Sequence, residues 1–466
     1  MLAAIGSFFA DKFRRWLPDS FIFAILLTIL AAILAAIFAD AGPFKIVQSW
    51  YKGFWILLKF AMQMVLILVT GYALAISPPI SKFLDWLATK VKTPVAVYAI
   101  IGIVGSIFAL ISWGWIVLTA VLARELAIRV KKVDYRLLCG CIYATLLGWH
   151  GGLSGSIPLL LNTPNNFLIK TGILSSTIPT TMTLLSPMNV VCCIALVIMV
   201  PALIIVMRPS DENVMEYADM VDEEHKAIKP VTVAEEAESL RLPGKNLSDM
   251  LNNSFVIQII ISLMGVWYLV WYFSTKGFSL NLNIMNFLFI MAGMICHVTP
   301  LRYIIAMKRA CSNVSGIVLQ FPFYAGIMGI MIFTGLGKTI AAWIAGAASV
   351  GTFPFVAFLT GGIVNIFVPS GGGEWAVVGP TIVDVAKTLG ANMPAHQLTA
   401  YITKCSMAVA YGDAWTNMIQ PFWTLVFFPI VAVGTKMQAR DIMGYTFVAC
   451  IVSFFIYAIC VIWLPV

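Results

Sequence analysis

Two acidic residues, Glu374 and Asp413, stand in otherwise apolar stretches, each beside glycine and proline clusters that a regular helix does not accommodate. An ionisable group at membrane depth is costly and faces a cavity or a partner. Glu374 and Asp413, with Asn417 and Gln420 close behind, are therefore candidates to hold a coupling ion, Na⁺ or H⁺, or to pair with Lys338 or Lys404. Directly ahead of Glu374 runs Pro369-Ser370-Gly371-Gly372-Gly373. A serine followed by three glycines at the start of a half-helix exposes backbone N–H groups at a positive dipole end, where a carboxylate binds without an arginine. A tight turn that needs small residues is the competing explanation. Ser112, Ser154, Ser156, Asn162, Thr163 and Asn165 add neutral donors and acceptors near other interruptions. Small polar groups also cement helix packing in membranes, so their grouping says more than any one of them.

Tryptophans recur beside the same interruptions: Trp113, Trp115, Trp149, Trp375 and Trp415. They can wall a pocket for a short apolar tail, or fill space where helices break. His150 lies within Gly148-Trp149-His150-Gly151-Gly152 and titrates near neutral pH when unperturbed. The nine cysteines show no C-x-x-C or Cys/His ligand spacing and read as inert buried thiols. No metal site beyond sodium is expected, no Walker A loop is present, and no other cofactor is implied.

These residues need elements that hold them inside a bilayer. Hydrophobic residues make up 61% of the 466 positions and charged residues 11%, against about 45–50% and about 25% in soluble chains. The runs Phe21 to Phe38, Phe54 to Ile76, Met188 to Met207, Phe255 to Phe273 and Ile442 to Leu464 approach the roughly 20 residues that a helical span takes. They lack the alternation of a membrane barrel.

The net charge of +8 does not point to nucleic acid. Eleven of the 21 acidic residues lie in the polar stretch 208–254, which holds 5 of the 29 bases. The remaining bases cluster in short loops, among them Arg129, Lys131, Lys132, Arg136, Arg302, Lys308 and Arg309, the positive-inside pattern. That pattern expects a cytoplasmic N-terminus, with residues 1–19 as an uncleaved interfacial helix.

The fold class expected is an all-α polytopic membrane protein of two inverted repeats, each with a re-entrant hairpin and a broken helix. The first half covers 20–207, with a hairpin at 94–128 and a broken helix at 137–168. A charged cytoplasmic linker, 208–253, reads as mobile from its charge and scarcity of aromatics. The second half covers 254–466, with a hairpin at 353–389 and a broken helix at 398–428. Hairpin tips and helix breaks at membrane depth are tolerated where they line a cavity, and paired in this way they mark secondary transporters.

The segments Arg15-Trp16-Leu17-Pro18-Asp19, Leu153-Ser154-Gly155-Ser156-Ile157-Pro158-Leu159-Leu160, Gln320-Phe321-Pro322-Phe323-Tyr324-Ala325-Gly326-Ile327, Val368-Pro369-Ser370-Gly371-Gly372-Gly373 and Asp441-Ile442-Met443-Gly444-Tyr445 resemble the AtoE-type short-chain fatty acid transporters of bacteria. The similarity runs from about residue 10 to the C-terminus. The resemblance implies uptake of butyrate, acetoacetate or a similar acid across the bacterial inner membrane, in a fold similar to ion transporters that move solute by an elevator motion, often on a scaffold dimer. It carries over two substrate-site elements, Pro369 to Gly373 and Leu153 to Pro158, and gives no ion ligands. A dicarboxylate or amino-acid carrier of the same architecture is the nearest rival. An intramembrane aspartyl protease needs two facing aspartates, and the Gly-x-Gly-Asp pattern is absent. The expectation is a transporter with no enzymatic activity, whose partners are a small carboxylate and the lipid bilayer.

Overall fold

The computed structural model describes residues 20–466 except 57, 165, 171, 222–230, 242–245, 278–281, 312–313, 346–347 and 433. The expected helix over 1–19 and Asn165 lie outside the described residues. Among those described, the chain is all-α, with one isolated β-bridge between Val221 and Thr435. Five helices are long and apolar enough to cross a membrane: Pro94–Ile111, Tyr135–Leu161, Pro187–Val206, Leu247–Lys276 and Met443–Trp463. A sixth candidate is Ala61–Leu74 followed by Pro78–Leu87, bent by 62°.

Phe255–Lys276 shows how such helices are specified. Its buried residues are Gln258, Ser262, Gly265 and Leu269, one stripe at helical spacing, while Ile260, Met264 and Trp267 are exposed. The pattern of a soluble helix is inverted: the small and polar face packs inward and the apolar face meets lipid. Gln258 Nε2 donates to the Met294 carbonyl at 2.8 Å, so the buried amide is not stranded.

The helices pack in two groups. One is a scaffold in which Ser315–Phe333 lies against Ser20–Phe38 and Pro43–Gly53, and Leu282–His297 lies against Leu58–Ala75. The crossing of Pro43–Gly53 and Ser315–Phe333 is backbone on backbone, since a β-carbon on Gly329 would stand 2.4 Å from Gly53 Cα and from the Ser49 carbonyl oxygen. The other group holds the two hairpins and the two broken helices, together with Pro187–Val206 and Met443–Trp463.

The first hairpin is Pro94–Ile111, a short 3₁₀ turn at Trp113–Trp115, and Ile116–Arg129. Pro94 occupies the first helical turn, where it costs no hydrogen bond, and Thr93 caps it by accepting from Ala96 N–H at 3.2 Å. Glu125 pairs with Arg129 at its base. The first broken helix runs as α-helix over Tyr135–Ala144, tightens to 3₁₀ over Thr145–Gly151, and resumes at Ser156–Leu161. The second hairpin is Phe353–Asn365 and Gly371–Leu389.

The second interruption begins later than the glycine signal suggests. Helix Ala395–Thr416 continues through Gly412 and Asp413, followed by a 3₁₀ turn at Asn417–Ile419 and a short helix, Thr424–Val431. Gly412 is instead a packing residue: a β-carbon there would fall 2.2 Å from the Phe358 carbonyl oxygen and 2.5 Å from Gly362 N, so the hairpin's first arm presses on the helix backbone. The break belongs to Pro421, which holds Gln420 extended (φ −126°, ψ 145°).

The described parts of the linker are docked rather than loose. Tyr135 N–H donates to the Met215 carbonyl at 2.8 Å, and Met215 N–H donates to Asp134 Oδ2 at 3.1 Å. Arg124 reaches the Tyr217 hydroxyl at 3.0 Å and lies over its ring, and Arg309 pairs with Glu236 through Nε at 2.9 Å.

Candidate functional site

The tip of the second hairpin is built by one residue's geometry. Ser370 is extended (φ −149°, ψ 105°) and caps the 19-residue helix Gly371–Leu389, its hydroxyl accepting from Gly373 N–H at 3.4 Å and its carbonyl from Glu374 N–H at 2.7 Å. The first-turn amides of Gly371 and Gly372 have no acceptor within the helix, as at any helix start, and they carry its positive dipole end. Gly371 lies against the His150 ring, and Gly372 opens toward Leu160 and Ser156. The second hairpin thus meets the first broken helix.

That broken helix is stitched to the first hairpin. Leu153 N–H donates to the Leu110 carbonyl at 2.6 Å, and Trp113 N–H donates to Ser154 Oγ at 2.9 Å. Gly152 allows the approach, since a β-carbon would lie 2.1 Å from the Leu110 oxygen.

Where these three elements converge is a cavity of about 410 Å³. Ser112, Trp113, Ser154, Ser156, Gly371 and Gly372, all named from the sequence, line it. Ser112 Oγ is buried with no hydrogen-bond partner. The apolar side is a cluster of three indoles, Trp423 having its ring centroid 5.2 Å from Trp113 and 5.9 Å from Trp149, extended by Leu159 and Leu160. Gln63 and Asn283 of the scaffold close the rim, joined by a 2.7 Å hydrogen bond. Gly155, Pro369, Ser370 and Gly373, from the two elements expected to hold substrate, are not among the lining residues.

Glu374, Asp413, Asn417 and Gln420 form a separate buried cluster behind the tip. Gln420 Nε2 donates to Asn417 Oδ1 at 2.7 Å, and Asn417 Nδ2 donates to Asp413 Oδ2 at 3.2 Å. Asn365 Nδ2, at the end of the hairpin's first arm, lies 2.9 Å from each of three acceptors, the Asp413 carbonyl, Thr416 Oγ1 and Asn417 Oδ1, which share its two N–H groups. The Glu374 carboxyl is close enough to that of Asp413 for their charges to interact, and neither of its oxygens has a hydrogen-bond donor. The ion-pair partner of Asp413 is His150, with Nε2 2.9 Å from Oδ2, and not Lys338 or Lys404.

Sequence reasoning missed Asn365 and gave His150 no partner. A polar residue five positions before a hairpin tip was the available signal for the first, and the position of His150 in the most glycine-rich interruption was the signal for the second. Asn162 and Thr163 lie at the end of Ser156–Leu161, and Thr163 reaches the cavity.

A family model described as short chain fatty acid transporter matches residues 1–464. The chain belongs to the short-chain fatty acid transporter family. Relatives named for short-chain fatty acid transport include one from Escherichia coli (strain K12), 38% identical over 98% of this chain and 99% of that one. Another from Haemophilus influenzae is 37% identical over 97% of each. Members of this family are transporters and not enzymes, and the apolar helices make this one a membrane protein. Two solved transporters also align with it. Neisseria gonorrhoeae MtrF, described as an antimetabolite efflux pump, is 16% identical over 98% of this chain and 97% of its own, with a TM-score of 0.41. Alcanivorax borkumensis YdaH is 14% identical over 96% and 98%, with a TM-score of 0.44.

Proposed function

We propose that this protein is an ion-coupled symporter of short-chain fatty acids such as butyrate or acetoacetate. The observation that carries the reading is the mixed lining of one cavity. The Gly371 and Gly372 amides with the free Ser112 hydroxyl suit a carboxylate, and the three indoles with Leu159 and Leu160 beside them suit a short alkyl tail. A volume of about 410 Å³ falls within the roughly 300–1,000 Å³ usual for small-molecule sites. A dicarboxylate needs a second anion site, and the indoles offer none. An amino acid needs a counter-charge for its ammonium group, and no acidic side chain is among the described lining.

The reading has further parts. The hairpins and broken helices are two inverted repeats, and the group that carries them moves as an elevator against the scaffold, in the bacterial inner membrane, with the N-terminus cytoplasmic and a homodimer as the assembly. The driving ion is H⁺ or Na⁺, accommodated by the cluster behind the tip.

Radiolabelled butyrate uptake into proteoliposomes, with Na⁺ and proton gradients imposed separately and protein-free liposomes as the baseline, tests the reading. Protein-dependent accumulation under either gradient is the expected result. Uptake of succinate or an amino acid in its place would return the function to the rival carriers.

A further inference from the structure

We infer that the coupling ion is a proton, carried by Glu374, Asp413 and His150 acting as one unit, and that His150 links this unit to the substrate cavity. The inference rests on the carrier reading above. Four observations lead to it. Both carboxyls are fully buried and interact with each other, yet no donor stands between them. Two negative charges at such range in a low-dielectric interior repel strongly and need compensation. A proton on Glu374 turns its carboxyl into a donor toward Asp413, which removes the repulsion and supplies the missing hydrogen bond together.

One oxygen of Asp413 faces nitrogen. His150 Nε2 and Asn417 Nδ2 both approach Oδ2, at 2.9 and 3.2 Å. A hard cation prefers a shell of oxygens; the two nitrogens at Oδ2 suit a proton, while the donor-free oxygens of Glu374, Asp413 Oδ1, Asn365 Oδ1 and Gln420 Oε1 make sodium the rival that the test must separate. Among the described residues, Tyr143 and Tyr457 are the other ionisable groups that interact with Asp413. Their hydroxyls are already committed, Tyr143 to the Gln420 carbonyl at 2.8 Å and Tyr457 to the Leu147 carbonyl. His150 is thus the one cationic group among the described ion-pair partners of the two carboxylates.

His150 also faces the other way. Gly371 of the tip rests on its ring, and Trp149, its neighbour in sequence, lines the cavity. When His150 is protonated, its charge neutralises Asp413 and stands directly behind the amides that would receive a carboxylate. Proton uptake and anion binding then favour each other, and the fully loaded cluster carries no net charge: Glu374 neutral, Asp413 and His150 paired. The step is a proton transfer alone, from water on one side to water on the other, with no bond to carbon made or broken.

The test separates exchange from net transport in Na⁺-free proteoliposomes, with protein-free liposomes subtracted. In the wild type, labelled butyrate exchanges across the membrane at equal pH on both sides and accumulates when a proton gradient is imposed. Glu374→Gln still exchanges, because a carrier that shuttles only loaded needs no proton released, and its gradient-driven accumulation falls to the protein-free level. Glu374→Asp, which keeps the acid, regains part of that accumulation. Wild-type accumulation that requires a Na⁺ gradient, or gradient-driven accumulation by Glu374→Gln equal to wild type, overturns the proton unit while leaving the carrier reading intact. Loss of exchange in both Glu374 variants places Glu374 on the substrate and also overturns it. Absence of butyrate exchange in the wild type is a different failure, that of the carrier reading itself.

Discussion

A β-carbon placed on Gly371 would lie 2.4 Å from both Cε1 and Nε2 of His150, so the second hairpin and the first broken helix touch without room for a methyl group. The next residue differs: at Gly372 the nearest atoms to such a carbon are Leu160 Cδ1 at 3.8 Å and Ser156 Cβ at 4.0 Å.

These neighbours make a paired test. His150 is buried and cannot swing clear, so Gly371→Ala forces an overpacked contact of the kind that costs about 1–3 kcal/mol. Purified Gly371→Ala is expected to melt at lower temperature and to lose butyrate uptake. Gly372→Ala is expected to melt like the wild type, with any loss confined to uptake. Equal melting temperatures for both variants would contradict the contact.

Trp423 touches both other indoles and has no hydrogen-bond partner for its own N–H. Trp423→Ala enlarges the cavity, and truncating a buried tryptophan costs about 3–5 kcal/mol. Competition of butyrate uptake by hexanoate and octanoate is expected to strengthen in the variant relative to wild type. An unchanged chain-length profile would remove the indoles from the tail site.

Asn365 supports the Asp413 helix through its buried amide, whose two N–H groups serve three acceptors. Asn365→Ala leaves their acceptors without that donor, at about 1–3 kcal/mol for each group stranded. Asn365→Asp is worse, since it brings a third carboxylate beside Asp413 and Glu374. Thermal melts in detergent are expected to rank wild type above Asn365→Ala above Asn365→Asp.

Asp413→Asn removes the His150 pair and keeps the side-chain volume. It is expected to insert in the membrane at normal levels and to lose most uptake. Ser370→Ala should be milder. Its hydroxyl caps the helix at a long 3.4 Å and does not line the cavity, so the loss is of the order of a helix cap, about 0.5–2 kcal/mol. Uptake and membrane abundance measured together on the two variants check the order.

The docked linker offers a target away from the cavity. Tyr217→Phe keeps the ring beneath Arg124 and removes the hydrogen bond, at about 1 kcal/mol, whereas Tyr217→Ala removes both. Limited proteolysis within 208–254 is expected to be faster in Tyr217→Ala than in Tyr217→Phe, and slowest in the wild type.

Several of these residues were legible in the sequence for physical reasons. Glycine and proline clusters mark departures from helix regardless of context, so both hairpin tips and the first break fall where Ser112, Gly152 and Ser370 imply. Buried carboxylates are rare enough to be conspicuous, which singled out Glu374 and Asp413. What stayed hidden depends on tertiary approach. Gly412 carries the same signal whether it bends a helix or admits a neighbour's backbone, and only the position of Phe358 distinguishes the two. The pairing of His150 with Asp413 joins residues 263 positions apart, and nothing local to either announces the other. The contacts of Tyr217 with Arg124 and of Glu236 with Arg309 join the linker to distant positions in the chain, so its sequence alone does not show them.

The two stitches between the first hairpin and the first break, Leu153 to Leu110 and Trp113 to Ser154, bear on how a solute gets in. A wall whose panels are riveted together cannot serve as the door. On the other side Gln63 and Asn283 belong to neighbouring scaffold helices that are fastened twice, by Gln63 Nε2 to Asn283 Oδ1 at 2.7 Å and by Asn286 Nδ2 to the Gln63 carbonyl at 3.0 Å, so each side of the cavity is riveted within its own group of helices.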